Sequence, residues 1–569
     1  MPLFIFRFGR SPEHQWLALL TLGLFGCTSE DPGDSTSSSS TSSSSTTANS
    51  ISGGQTSSTQ STSQTSTNSP GSMSGSTVTS NTSSSSSGGG AGDPGSSAGG
   101  GSTTGSANPT GTGGSGGTGG SITPSDAYAG SIEVSVHDDV NTILVVTWEQ
   151  LLAADATWLE FSFEGSEVMR SPSASGALGA HREVVLGVPG DTTVSISVVS
   201  QVGEDLFSTT AVEGTTDAVP ASMPVPTVMD YDPERASPER YMLGAVEDTA
   251  DNIANNLDSY LTYQAWLYII DRQGRVVWYY TDPSRNAASG FPRVARDGSY
   301  LMVEQSRVGA QGRLLKMSLD REYFEAMDLP IADAFDITDD GSILYDEGYS
   351  GELHELTADG EDRILWHCGS ELDLSPNCYT NTINYNPFED SVLMSFPYSG
   401  VVAEIDRQSG ELIGYYGNEP DAWDFAPPLE EPPTEWGFGF QHFPNITPTG
   451  TLIVSSHMPG YEDFEQTPTA NQHAFIEFAI DRENQVLTEL WRYTEGPEWP
   501  RARGMAIRLE NGNTLGNYGT GGVIREITPD KATVFYVKFD IPGGNDAYNK
   551  LVGHNFLVAD LYALNGAPE

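Results

Sequence analysis

Basic residues are scarce in this 569-residue sequence: 26 Lys and Arg stand against 76 Asp and Glu, a formal net charge of −50. A field of that sign repels phosphate backbones and anionic headgroups. It excludes nucleic acid as a partner and requires any anionic substrate to find a locally positive pocket. Long apolar runs are missing as well. Trp16 to Phe25 (WLALLTLGLF) is ten residues long, about half of the roughly 20 that a membrane-spanning helix needs. Cysteine is rarer still, at three residues. With Cys27 set aside, Cys368 and Cys378 are expected to close a loop by a disulfide, as suits an exported chain. A metal pair beside His367 is the other reading.

What is present near the start reads as an address. Arg7 and Arg10 precede the apolar run, which ends in Leu24-Phe25-Gly26-Cys27. This resembles a bacterial lipobox, which implies a signal peptide over 1–26 and lipidation at Cys27. Acyl chains there would hold the protein in the cell envelope, on the outer membrane or the cell surface, without a spanning helix. Residues 27–128 follow as an expected disordered tether. They are almost entirely Ser, Thr, Gly, Asn and Pro, with no Lys or Arg and few apolar side chains. Such a composition cannot offset the entropy of folding.

The remaining roughly 440 residues suit one large domain plus a small one. Over 129–218, short segments rich in β-branched residues (SIEVSVH, ILVVTWEQ, TWLEFSFEG, TTVSISVVSQVG) alternate with turns. They predict a small sandwich resembling a fibronectin type III module, with Trp148 and Trp158 in its core. The Pro-rich stretch Pro220 to Pro238 reads as a hinge. From 219 to 569 a strand–Gly-turn–strand unit recurs, as in RVARDGSYLMVEQ, FDITDDGSILYDE, FPNITPTGTLIVSS and AIRLENGNTLGNYG. A second hairpin follows each, often with Asp in its turn (YIIDRQGRVVWYY, AEIDRQSGELIGYY, FAIDRENQVLTELW). One such unit leaves a sheet face apolar, and stacking units around an axis buries it. The whole is therefore expected to be all-β, a six-bladed propeller (seven being the alternative count) behind a sandwich. Trp278, Trp366 and Trp491 share one place in their units and are assigned to inter-blade packing.

In such a ring the residues at the start of each innermost strand face a common axis. Counting back from the turn glycines gives Arg293; Phe335 with Asp336; Tyr379 with Asn381; Gln441 with His442; and Arg501 with Arg503. His354, His457 and His473 show no partner pattern and read as surface or turn residues, and His554 is set aside.

Three of these segments carry a family resemblance. YTNTINYNPFEDSVLMSFPYSGVVAEIDRQSGELI (379–413), FQHFPNITPTGTLIVSSH (440–457) and GMAIRLENGNTLGNYGTGGVIREI (504–527) are similar to motifs of the bacterial PAPS-independent arylsulfotransferases. The resemblance implies a six-bladed propeller behind a β-sandwich, and an activity that moves a sulfuryl group from an aryl sulfate to a phenol through a sulfohistidine. It implies no cofactor, metal or nucleotide. Carried over, the nucleophile falls on His442 and an Asn of the site on Asn381, with Tyr379 as a further catalytic position. Gln441, Arg501, Arg503 and Asp336 are the candidate substrate-binding residues. The chain departs from the family where Tyr379 replaces a His, where Pro397 replaces an Arg, and where Phe335-Asp336 replaces His-Asp. Those departures leave a second reading open: an inactive propeller that binds a carbohydrate, a polymer or an envelope protein. The sequence leaves the oligomeric state undetermined.

Overall fold

The computed structural model describes residues 122–248, 264–282, 291–307, 310–348, 350–372, 374, 378–417, 419–426, 437–457, 473–494, 503–539 and 550–566. The signal segment, nearly all of the tether, Cys27 and Arg501 lie outside them.

The first strands form two facing sheets. One contains Glu133–Val136, Leu144–Gln150 and Gly179–Val185; the other is built on Ala156–Phe163 and Thr193–Val202. Their alternation puts Trp148, Leu159, Phe161 and Ile196 between the sheets, while Trp158, next to Leu159, is buried on the other face under Arg170. Both tryptophans are buried, as the sequence suggested, Trp148 in the core between the sheets and Trp158 outside it.

Six sheets follow, three of four strands and three of five, each built on an antiparallel meander. The second blade is Pro292–Val294, Leu301–Arg307, Ala310–Met317 and Phe324–Asp328; the third is Ile331–Ile337, Ile343–Glu347, Glu352–Leu356 and Asp362–His367. The fourth is Thr382–Asn386, Ser391–Phe396, Val401–Asp406 and Leu412–Gly417. The fifth is Gly439–Ile446, Leu452–His457, His473–Asp481 and Val486–Tyr493, and the sixth is Gly504–Arg508, Thr514–Tyr518, Val523–Ile527 and Thr533–Phe539. Innermost strands of successive blades adjoin, from Ile331–Ile337 through Thr382–Asn386 and Gly439–Ile446 to Gly504–Arg508. This is a six-bladed β-propeller, and the alternative count of seven falls away.

The first blade joins both ends of the repeat region. Tyr241–Asp248, Gln264–Asp271 and Val276–Tyr280 come from its start, and Lys550–Val552 with Phe556–Val558 supply its inner edge. The sixth blade is in turn extended by Pro226–Tyr231, which pairs antiparallel with the strand Thr533–Phe539. The expected hinge is thus corrected: its middle is a strand. Pro226 is compatible with this because it opens an edge strand, where no ladder N–H is required of it.

Local chemistry explains the repeat. The turn glycines of four inner hairpins, Gly298, Gly341, Gly450 and Gly512, have φ of 76°, 81°, 76° and 86°, a region that costs a side chain about 1–2 kcal/mol. The three tryptophans each meet the next blade. Trp278 Nε1 donates to Leu319 O at 2.8 Å, Trp366 packs on Phe396, and Trp491 Nε1 donates to Pro529 O at 3.1 Å.

The sandwich packs on the first blade. Val140, Ile143, Val184 and Leu186 share a core with Tyr241, Val277 and Tyr279, while Thr142 Oγ1 donates to Val277 O at 2.8 Å. Cys368 and Cys378 are disulfide-bonded, tying the end of the third blade to the approach to the fourth.

Candidate active site

The innermost strand of the fifth blade is irregular where it carries His442. Against Leu452–His457 its register runs Gly439↔His457, His442↔Ser455 and Asn445↔Ile453, so each interval holds one extra residue. Two successive bulges re-aim the side chain between them. Phe440 and Phe443 flank the histidine at φ of 46° and 51°, conformations that bulky residues avoid and that recur at functional sites. Phe443 also precedes Pro444, which disfavours helical backbone before it.

His442 is half-buried. Its Nδ1 donates to Phe440 O at 3.2 Å, which leaves the lone pair on Nε2. Burial pushes its pKa down to about 3, and the charges of His457 and Arg503 push the same way against the Phe440 carbonyl. The imidazole is therefore neutral near pH 7, the form in which it is a nucleophile.

The fourth blade buttresses this strand. Asn381 is buried and its Nδ2 donates to Gln441 O at 2.8 Å; Thr382 Oγ1 accepts from Phe443 N at 3.1 Å. Gln441 is fully buried, with Nε2 donating to Val401 O at 2.7 Å and to Ser395 Oγ at 3.2 Å. These bonds place Gln441 in the seam between the two blades, where it holds the strand. Tyr379 is half-buried and stands one aromatic ring away from the histidine strand: it packs edge-on against Tyr398, which meets Phe440. Asp336 pairs with Arg293 Nε at 3.2 Å and accepts from Tyr385 N at 2.7 Å, so its carboxylate is held by both neighbouring blades.

The other histidines were not legible in sequence. His457 and His473 are buried, where a surface or turn position was expected. They face each other in register on adjacent strands, rings 6.4 Å apart, and His473 Nε2 lies 2.8 Å from Ser455 Oγ. Burial, then the charges of His457 and His442, drive His473 well below the usual imidazole range. From the first blade, His554 is fully buried between Phe291 and Phe443. Arg293 Nη1 donates to its Nδ1 at 3.0 Å, which leaves the ring proton on Nε2 without a hydrogen-bond partner among the described residues. Arg503, itself at φ 65°, stacks over Phe291 and donates from Nη1 to Glu247 Oε1 at 2.5 Å. Four of the chain's nine histidines thus gather with Arg293 and Arg503 around the inner strands of the first, second, fifth and sixth blades. Only the register of strands that flank a long connection could have shown it.

Surface cavities lie elsewhere. One of about 540 Å³ is lined by Leu374, Tyr415 and Trp423, and another of about 480 Å³ lies between Glu183 and Asn565. Neither contains an imidazole. The histidine cluster, where strain, bulges and shifted acidities coincide, is the stronger candidate.

No protein-family model matches the chain, and no curated protein does. Solved structures similar to it include virginiamycin B lyase from Staphylococcus aureus, at 14% identity over 45% of this chain and 71% of that one, TM-score 0.29. TolB from Acinetobacter baumannii is 12% identical over 65% and 80% of the two chains, TM-score 0.32. Kluyveromyces lactis Hsv2 is 10% identical over 63% and 94%, TM-score 0.30. Likeness at that level carries nothing about the site, and the six-bladed ring rests on the chain's own strand order.

Proposed function

We propose that this propeller is an aryl-sulfate sulfotransferase working through His442. The observation that carries the reading is a half-buried imidazole held neutral, with Nδ1 bonded to its own strand and Nε2 carrying the lone pair. In the first step Nε2 attacks the sulfur of an aryl sulfate. The N–S bond forms as the aryl O–S bond breaks, and the phenolate leaves. In the second, the oxygen of an acceptor phenol attacks the same sulfur, the N–S bond breaks, and the acceptor's proton leaves to water or a neighbouring imidazole. The sulfuryl oxygens stay anionic throughout, and the charge of Arg503 lies close enough to His442 to depress its pKa. Tyr379 stands where an aromatic ring could pack.

A second reading rests on a specific observation. Arg293 and Arg503 already have carboxylate partners in Asp336 and Glu247, which favours a binding module for a carbohydrate, a polymer or an envelope protein. Incubation with p-nitrophenyl sulfate and a phenol separates the two. Acceptor-dependent nitrophenol release, lost in His442→Ala, supports transfer; silence across several aryl sulfates from a folded chain rejects it.

We further read Cys27 as a lipidation site that anchors the chain in the bacterial envelope, and the sandwich as fibronectin type III-like. The first reading predicts that Cys27→Ala releases the protein from the membrane fraction.

A further inference from the structure

A second cluster sits on the third blade, away from His442. Glu347 ends one strand and Glu352 begins the next, so a four-residue turn brings both carboxylates to the same end of the sheet. Asp346 fixes that turn by accepting from Gly351 N at 3.0 Å. His354, two residues inward on the same face, is buried at 6% exposure and stacks on Tyr345.

The imidazole is oriented from behind. Nδ1 lies 3.3 Å from Asp362 Oδ1, and Tyr345 Oη donates to the other Asp362 oxygen at 2.8 Å. That contact puts the ring proton on Nδ1 and turns the Nε2 lone pair forward. Nε2 has no hydrogen-bond partner among the described residues, although it lies 3.5 Å from Glu347 Oε2 and 3.6 Å from Glu352 Oε2. One ligand atom from each of the three residues falls within 4.8 Å of the others.

A lone pair facing two carboxylates is repulsive unless a cation stands between them. A proton on Nε2 would have to reach oxygens beyond ordinary hydrogen-bond distance. A metal ion fits the two His354–glutamate distances better: with Zn–N and Zn–O bonds of about 2.0–2.2 Å, the edge of a tetrahedron is about 3.4 Å. A carboxylate behind the second ring nitrogen is also the usual support for a metal-bound histidine. His367 stands beside Glu352. Its Nδ1 accepts from Ser370 N at 3.2 Å, so Nε2 carries the proton, 3.4 Å from Glu352 Oε1. Both carboxylates are partly solvent-exposed, at 49% and 30%, which leaves a path for entry.

We propose that His354 Nε2, Glu347 and Glu352 bind a divalent transition ion of the zinc class, with a fourth position open to water. The site departs from the metal-free expectation that the family resemblance carried. Since His367 precedes Cys368, the ion would brace the hairpin from which the disulfide loop leads toward Tyr379 and Asn381.

The test titrates the full chain, stripped with a chelator, with zinc chloride under equilibrium dialysis, and repeats it with cobalt(II) to read the visible absorption of a tetrahedral ion. One equivalent should bind, and His354→Gln and the double variant Glu347→Gln/Glu352→Gln should each weaken it tenfold or more and erase the cobalt spectrum. The partly exposed glutamates make the double variant safe for folding, which circular dichroism confirms alongside. Failure to reach one equivalent at saturating zinc, or a loss below tenfold in the folded double variant, overturns the proposal.

Discussion

Arg272 Nη1 lies 3.2 Å from Glu526 Oε2 across the seam between the first and sixth blades, with side-chain exposures of 5% and 0%. The same relation recurs twice around the ring. Arg407 of the fourth blade reaches Glu355 of the third at 2.5 Å, and Arg482 of the fifth reaches Glu404 of the fourth at 3.0 Å. Each arginine follows the Asp of an outer hairpin turn, and each glutamate sits in the third strand of the preceding blade.

Removing one partner strands a buried charge, at a cost of about 3–5 kcal/mol. Arg272→Met should therefore lower the unfolding free energy by about that amount, since the donors left to Glu526 among the described residues, Ser237 N and Asn513 Nδ2, are neutral. Arg407→Met should cost less, because Arg363 remains 2.6 Å from Glu355. Urea denaturation of the two variants beside the parent chain checks the order.

For the proposed transfer, His442→Ala should abolish turnover. Mass spectrometry of acid-avoiding digests after incubation with donor alone should find a sulfuryl adduct on the peptide that contains His442. Arg503→Gln should slow transfer by about 10²–10³, the usual loss for one donor to a charged transition state. An Arg503→Gln enzyme as fast as its parent would remove that guanidinium from the mechanism.

Much of this architecture could be read from spacing. The turn glycines, the three tryptophans at blade seams and the Cys368–Cys378 bond fall where local pattern put them, because each depends on a few neighbouring residues. The closing strands did not, since Pro226–Tyr231 and Phe535–Phe539 pair across some three hundred residues and nothing nearby encodes the partner. His457 and His473 escaped for a related reason. They meet only through strand register, and their separation in sequence carries no metal-like or catalytic period. Gln441 falls among the site candidates by its offset from the turn glycine and by the resemblance; the two bulges send its side chain into the seam.

Acidity should weaken the fold through the same histidines. His442, His473 and His554 all have pKa values depressed by burial, so the unfolded chain binds more protons. Their contribution is complete above the unfolded value near 6.5 and is lost as pH falls toward the folded values. Unfolding free energy should thus drop between pH 7 and pH 4, by up to about 1.4 kcal/mol per pH unit for each imidazole. In His473→Gln the slope over that interval should be shallower. The rate profile should behave differently: His442 stays neutral down to about pH 3, so it should contribute no acid limb near pH 6.5.

At the third-blade cluster, Asp362→Asn keeps the shape of the side chain while weakening the acceptor behind His354. Zinc affinity should fall by about 10–100-fold, the usual effect of an outer-shell change. Competition with a chromophoric chelator measures it.

Ring closure has a consequence for how the molecule is made. Until residues 550–558 leave the ribosome, Tyr241–Asp248 lacks the strands that cover its inner edge. A nascent or truncated chain that stops short of them presents a bare row of amides and carbonyls, ready to pair with another copy. Loss of a short stretch near the carboxyl end should therefore be read out as aggregation of the whole ring, while changes of similar size in the sandwich would leave the propeller's edge sealed.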